Sequence, residues 1–410
     1  MLLTHFVKRE SAIIYSETGK FAFLLVSAVM MMVIGPFPHI PMAHVPLMAL
    51  GVLLCLKKNP RFDSTMLILL LYIPFGIVIS RPDPVFRSWE RFVLFMMLVV
   101  LVSPLFRNLY AIKLRRQILF AYLGYCVIVA VGSFVCYVIG INYMRNVVTG
   151  EMINELNSPG GFGGLTMQSM ALGPMCGFSA LYMFYRMLLE RDGKIWYLII
   201  IVVSTLTVLF SASRSALLAT LAGGIVLLYQ SKRNSGTFLK SLLGLTLVAA
   251  LTFPLWETAT TAVIAKHESN KELGQYGSRT EKWAARISEF ESSPLFGVGF
   301  AAQDPQGKDY YDKKSGTIEP GCSWLAILSM TGLIGLFLFI NVIRRPLKLW
   351  RQQSTPYNAL MLGLLTLLFV HMVAEGYIYA GGSALCFIAW VIIGCTTDAF
   401  EQSVEICHNK

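Results

Sequence analysis

Long apolar runs separated by short polar breaks dominate this chain from end to end. A membrane-crossing helix needs about 20 mainly apolar residues. Twelve runs approach or reach that length: 21–35, 40–56, 64–80, 92–106, 117–141, 164–185, 195–210, 214–230, 237–254, 322–343, 357–374 and 381–397. The first, second and fourth are short for the purpose. Between the ninth and tenth runs lies one long loop, about 255–321. Inside it Trp283, Ile287 and Phe290 share a stripe at spacings of four and three, the pattern of an amphipathic helix. Arg279, Lys282 and Arg286 line its edge. Ser278-Arg-Thr-Glu281 matches a capping box, and Ser293-Pro294 ends the segment. The pattern predicts an interfacial helix over 278–292, apolar stripe toward the lipid. The organisation expected is nine spans over 1–254, the large outer loop over 255–321, and three spans with a tail over 322–410.

Composition agrees with a membrane chain. Of 410 residues 55% are hydrophobic and 14% charged, and the mean hydropathy is +0.62. Soluble chains carry about 25% charged residues, so a disordered chain, a disulfide scaffold and an ordinary soluble enzyme all fit poorly. Net charge is +11, and its distribution matters more than its sum. One side of the predicted spans holds 21 Lys and Arg, the opposite short loops five, and the long loop eight. Cations mark the cytoplasmic side, which puts both termini inside, fits an even number of spans and places the long loop outside. Counting acids too, the balance is +13 inside and −2 outside. The basic excess is a topology signal, and no groove-reading or stacking element points to nucleic acid. Met1–Lys20 is polar, so no cleavable leader is expected. Eight cysteines are scattered, mostly within spans and without CxxC. They read as small packing residues rather than zinc ligands or a disulfide framework.

Chemistry is expected on the outer face. Ser211-Ala-Ser-Arg214-Ser215 forms a tight turn between two spans, which sets Arg214 at the membrane boundary. A guanidinium there snorkels, pairs with a carboxylate or meets a bound anion, and its small neighbours allow close approach. His371 and Glu375 are i,i+4, so a continuous helix would present both on one face near the outer boundary. Two such groups are too few for a metal centre, which takes three or four ligands. Arg81-Pro-Asp-Pro-Val-Phe-Arg87-Ser-Trp-Glu-Arg91 is a rigid turn that brings Arg91 to the start of a span. There Arg91 either helps to hold a phosphate or anchors the interface with Trp89. Gly160-Gly-Phe-Gly-Gly164 has no following Gly-Lys-Ser and is not a P-loop.

Four motifs occur in order: Ser211-Ala-Ser-Arg214-Ser-Ala-Leu-Leu-Ala; Gly277-Ser-Arg279 followed by Trp283; Ser293-Pro-Leu-Phe-Gly-Val-Gly299; and Gly332-Leu-Ile-Gly335. Together they resemble the O-antigen ligase and polymerase superfamily, bacterial membrane enzymes that act on polyprenyl-diphosphate-linked glycans. The likeness covers about residues 165–400; the first six spans match in hydropathy and count alone. It implies an all-α membrane fold like that of the C-type glycosyltransferases, with about twelve transmembrane helices. It also implies transfer without metal or cofactor at the outer face of the inner membrane. By motif, Arg214 and Arg279 become the diphosphate-binding arginines. The ligases carry a His shortly before the Gly-Leu-Ile-Gly motif. Here that place falls at about Gly321, within Glu319-Pro-Gly-Cys-Ser-Trp324. The missing His favours a polymerase, with Glu319 as the nearest replacement base. Glu-Gly-Tyr, here Glu375-Gly-Tyr377, also resembles the polymerase branch.

The function expected is therefore an inverting repeat-unit polymerase of O-antigen or exopolysaccharide. The alternatives are a ligase to lipid A-core and a lipid-glycan carrier or flippase. Carriers show repeated halves, and no clear repeat is present. Expected catalytic residues are Arg214, Arg279 and Glu319. Expected substrate-binding residues are Arg286, Lys282, Arg91, Tyr276, Trp283, His371, Glu375 and Tyr377, with no metal ligands. Expected partners are polyprenyl-diphosphate-linked oligosaccharides, membrane lipid, and a chain-length regulator and flippase.

Overall fold

The computed structural model describes residues 16–38, 40, 42–58, 60–145, 151–156, 161–190, 192–232, 279–304, 316, 318, 320–352 and 354–408. Among these the regular structure is helical, apart from isolated bridges such as Ile34 with Thr166. The helices are α1 (Glu17–Met30), α2 (His44–Leu56), α3 (Ser64–Ser80), α4 (Ser88–Val102), α5 (Leu109–Ile139) and α6 (Ser169–Leu189). They continue with α7 (Lys194–Phe210), α8 (Arg214–Lys232), α9 (Thr280–Ser292), α10 (Ser323–Lys348), α11 (Pro356–His371) and α12 (Ala384–His408). Eleven of the twelve predicted runs fall on a helix; the run 237–254 lies outside the described residues. Leu109–Ile139, Ser323–Arg351 and Ala384–Val404 are long and apolar enough to cross a membrane. His44–Leu56, Ser64–Ser80, Lys194–Phe210 and Pro356–His371 are shorter apolar helices.

The chain divides into two compact units. The first takes residues up to Pro41, Gln117–Gln275 and Arg351–His371. Its helices approach closely because small residues line the contacts, as suits packing that has no hydrophobic drive in lipid. A side chain at Gly223 of α8 would reach within 2.7 Å of the Gly363 carbonyl on α11. Gly177 of α6 lies against Thr220 of α8 and Leu367 of α11. The Ser179 and Ser204 hydroxyls join α6 to α7 at 2.9 Å. At the start of α1, Ser16 accepts from the Gly19 amide at 3.1 Å, a side-chain N-cap.

The second unit takes Met42–Arg116, Tyr276–Trp350 and Met372–Lys410. Its centre is α10, which breaks at Gly332 (φ 65°, ψ −169°). The carbonyls and amides freed around the break bind a strap over 294–299. Val298 N–H donates to Ser329 O at 2.9 Å, Gly299 N–H to Met330 O at 3.2 Å, and Leu333 N–H to Pro294 O at 2.9 Å. One end of this unit is tied by charge. Asp63 caps α3 through the Met66 amide at 2.9 Å and also accepts from Arg107 and Arg345. Deeper in, the fully buried Arg115 forms a forked pair with Asp398 at 2.9 and 2.7 Å and donates to Ser103 O at 2.9 Å.

Candidate functional site

In the first unit the Ser211–Arg214 turn is as tight as its small residues predict. Gly161 (φ 87°) abuts the Ser211 carbonyl. Gly173 of α6 faces Ser211, Ser213 and Ala216, where a side chain would meet Ala216 at 2.8 Å. Ala212 adopts a left-handed conformation at φ 50°, and the Ala216 amide donates to Ser213 Oγ at 3.4 Å. The turn thereby delivers Arg214, exposed, as the first residue of α8. A helix N-terminus carries partial positive charge and free amides, so guanidinium and helix end favour an anion together. His371 is buried at the end of α11.

His371 and Glu375 do not share a helical face. The helix stops at His371, and Met372–Ala374 form a turn before Glu375. The backbone is captured instead by the start of α10: Ser323 N–H and Oγ donate to Glu375 O at 3.0 and 2.7 Å. The Ser323 hydroxyl accepts in turn from the Tyr377 amide at 3.0 Å. A run of apolar letters conceals this stop, because a polar residue fifty positions away supplies the competing hydrogen bonds.

The second unit pairs Arg279 with Glu375 through Nη2 and Oε1. Glu375 is nearly buried, whereas the Arg279 side chain keeps 26% of its surface exposed. Arg279 stands at the N-cap position of α9 without a side-chain cap bond. The helix starts at Thr280, so the predicted capping box is displaced, and its Ser278 lies outside the described residues. Trp283 Nε1 donates to Gly321 O at 3.3 Å. The Lys282 stem lies against the same Gly321 (φ 73°), where a side chain would come within 2.9 Å of it. Burial pushes the Tyr377 phenol well above its usual range, so it stays a neutral hydrogen-bond donor.

Arg286 corrects the predicted helix face. It is 2% exposed and Glu289 3%, whereas Ile287 is 45% exposed. The side of α9 that packs inward therefore carries an ion pair and not the full apolar stripe. Position 286 is i+3 from Trp283 and i−4 from Phe290, so it shares their face. Glu289, which nothing in the sequence singled out beyond i,i+3 spacing to Arg286, supplies the counter-charge at 2.5 Å.

A cavity of about 380 Å³ lies within this unit. Arg91, Ile318, Pro320, Gly376, Tyr379 and Ser383 are among the residues lining it. Arg91 is fixed there by donating from Nη1 to Gly316 O at 3.0 Å. Gly376, which lines it, follows Glu375 in the chain. Glu319 and Tyr276 lie outside the described residues. Among the described residues no group of three or more His, Cys, Asp or Glu is placed to hold a metal ion.

Comparison with known proteins bears on this arrangement. Residues 199–340 match the O-antigen ligase family model. Among curated proteins nothing matches. A solved chain from "Structural coordination of polymerization and crosslinking by a peptidoglycan synthase complex" aligns with 84% of this chain and 98% of its own. Its identity is 15% and its TM-score 0.39, a likeness too distant to place the fold. The family match spans Arg214, Arg279, the strap glycines and the Gly332–Gly335 break. All four motifs thus lie inside the stretch that matches the O-antigen ligase family model, about a third of the chain.

Proposed function

We propose that this chain is a membrane glycosyltransferase joining polyprenyl-diphosphate-linked glycans at the outer face of the cytoplasmic membrane, as a repeat-unit polymerase of O-antigen or exopolysaccharide. The observation that carries the reading is Arg279, whose side chain is partly exposed while its Nη2 is held by the nearly buried Glu375 and its Nη1 is buried. A guanidinium fork matches phosphate oxygens in pairs. Glu375 fixes its orientation.

In the proposed reaction an acceptor sugar hydroxyl attacks the anomeric carbon of the donor glycan. The new C–O bond forms as the bond to the diphosphate oxygen breaks, and the polyprenyl diphosphate leaves with that electron pair. The configuration inverts. Arg279 balances the charge growing on the leaving group, the kind of electrostatic stabilisation that dominates many enzymes, and Arg214 is proposed from its motif alone as a diphosphate-binding arginine. The acceptor proton passes to a carboxylate. Glu319 is the base proposed from the sequence, as the carboxylate nearest the position where the ligases carry a His. Arg91, in the same wall, and Lys282 and Trp283, against Gly321, are proposed to contact the glycan or its phosphates.

The polymerase is preferred over the ligase because no His stands near Gly321 in the sequence. The test is purified protein given lipid-linked repeat units. A glycan ladder formed without added nucleotide supports polymerisation. One transfer to a lipid A-core acceptor makes the chain a ligase. Transport of the lipid into liposomes without any transfer makes it a carrier. Arg214→Ala and Arg279→Ala should each abolish the polymer while membrane insertion is unchanged.

A further inference from the structure

The reaction as proposed does not use the Arg286–Glu289 pair, which occupies the most protected position on α9. Glu289 Oε1 accepts from Arg286 Nη2 at 2.5 Å and from the Asp304 amide at 3.4 Å. The Ser329 hydroxyl sits beside the same carboxyl. Arg286 Nη1 and Glu289 Oε2 are buried without a hydrogen bond among the described residues. Ser329 is also where the strap docks, through its carbonyl to the Val298 amide at 2.9 Å. The pair thus sits where α9 packs beside Ser329 of α10, just before the Gly332 break, and its further hydrogen bond among the described residues is to the Asp304 amide. Arg279 opens the same helix, about two turns away at 3.6 residues per turn.

We infer that Glu289 is a positioning residue for Arg279: ionised and paired with Arg286, it fixes α9 on α10 so that the Arg279 guanidinium meets a diphosphate. This rests on the phosphate-binding reading of Arg279. Removing one charge of a buried pair leaves the other uncompensated, a heavy penalty that the site relieves by moving. Protonating Glu289 does that to Arg286, on the same helix.

The groups facing this carboxyl are Arg286 on its own helix, Asp304 on the segment after the strap, and Ser329 on α10. Burial, the largest influence, pushes the Glu289 pKa from 4.5 to about 7; Arg286, the Asp304 amide and Ser329 pull it down. The consequences for binding and stability run in opposite directions. The positioned, ionised form fills as pH rises through about 7. The folded pKa lies above the unfolded one, so folding favours the proton. This group's contribution to stability is full below pH 4.5 and lost as pH rises to about 7. A purely structural role would make binding follow stability. Positioning makes binding rise while this share of stability falls.

The test is equilibrium binding of undecaprenyl diphosphate, carrying no glycan, to the purified full chain in detergent across about pH 5.5 to 8.5, a range on both sides of about pH 7. Melting is followed in the same samples. Affinity in the native protein should climb through about pH 7. Glu289→Gln should bind about tenfold more weakly at the alkaline end, the scale of a small misplacement. It should also lose the pH dependence of binding, and its melting temperature should lose this group's fall with rising pH. Ser329→Ala, which removes a group that favours the charged form, should move the climb to higher pH. A Glu289→Gln protein that keeps the native pH dependence overturns the positioning role. So does one whose affinity falls only in step with its melting temperature. If the native protein binds no diphosphate lipid, or Arg279→Ala binds it normally, the reading of Arg279 fails instead.

Discussion

Gly332 shows how much one position can decide. Its left-handed φ of 65° is costly for any residue with a Cβ, by roughly 1–2 kcal/mol, and a Cβ there would also run into the Leu295 carbonyl. Gly332→Ala should therefore lower the melting temperature and loosen the strap, seen as faster amide exchange at Val298 and Leu333. Arg115 and Asp398 make a second residue-scale prediction. Breaking this buried fork with Asp398→Leu should cost about 3–5 kcal/mol, whereas Arg115→Met with Asp398→Leu should recover most of it. Thermal unfolding of the two variants checks the difference. Arg214 and Arg279 were legible in the sequence because small, polar, turn-forming neighbours set them apart. Glu375 was legible as a charged group within an apolar region, but its partner was not: 96 positions separate it from Arg279. Glu289 was invisible, since one more acid on an amphipathic segment reads as a solvated face.

Elements were read well in their interiors and poorly at their ends. Hydropathy located the described helices, because a run that must bury its backbone polar groups in lipid has few alternatives to a helix. It placed the start of α6 at 164, and the helix begins at Ser169. The intervening backbone is satisfied elsewhere: Met167 N–H donates to Val33 O at 2.9 Å, and the Gly164 carbonyl accepts from Tyr143 N–H at 2.9 Å. The end of α11 was missed for the same kind of reason, through Ser323. On α9 the period was right and the environment wrong, because periodicity names a face without saying what that face meets. The strap tests this scale. Gly297 holds φ 74°, with its Cβ position 2.5 Å from the α10 backbone at Met330 and Thr331. Gly297→Val should detach the strap, leaving insertion of the helices intact while transfer activity drops sharply. An activity assay beside a membrane-fraction blot reads both.

Over the whole molecule the charge pattern makes the boldest claim, 21 cations against five in short loops. It predicts opposite labelling of two exposed sites. Glu281→Cys on α9 should react in intact cells with a maleimide that cannot cross membranes, and Lys348→Cys at the end of α10 should react only after lysis. Seven of the eight native cysteines are buried and give little background, and Cys407→Ser removes the eighth. Reversed labelling would invert the topology and remove the outer face from the proposed chemistry. The reaction itself is tested most directly by reconstitution with lipid-linked repeat units and no nucleotide donor. The native protein should build a ladder of glycan lengths, and Arg279→Ala, inserted to the same level, should build none. Chains of normal length from Arg279→Ala would contradict the account.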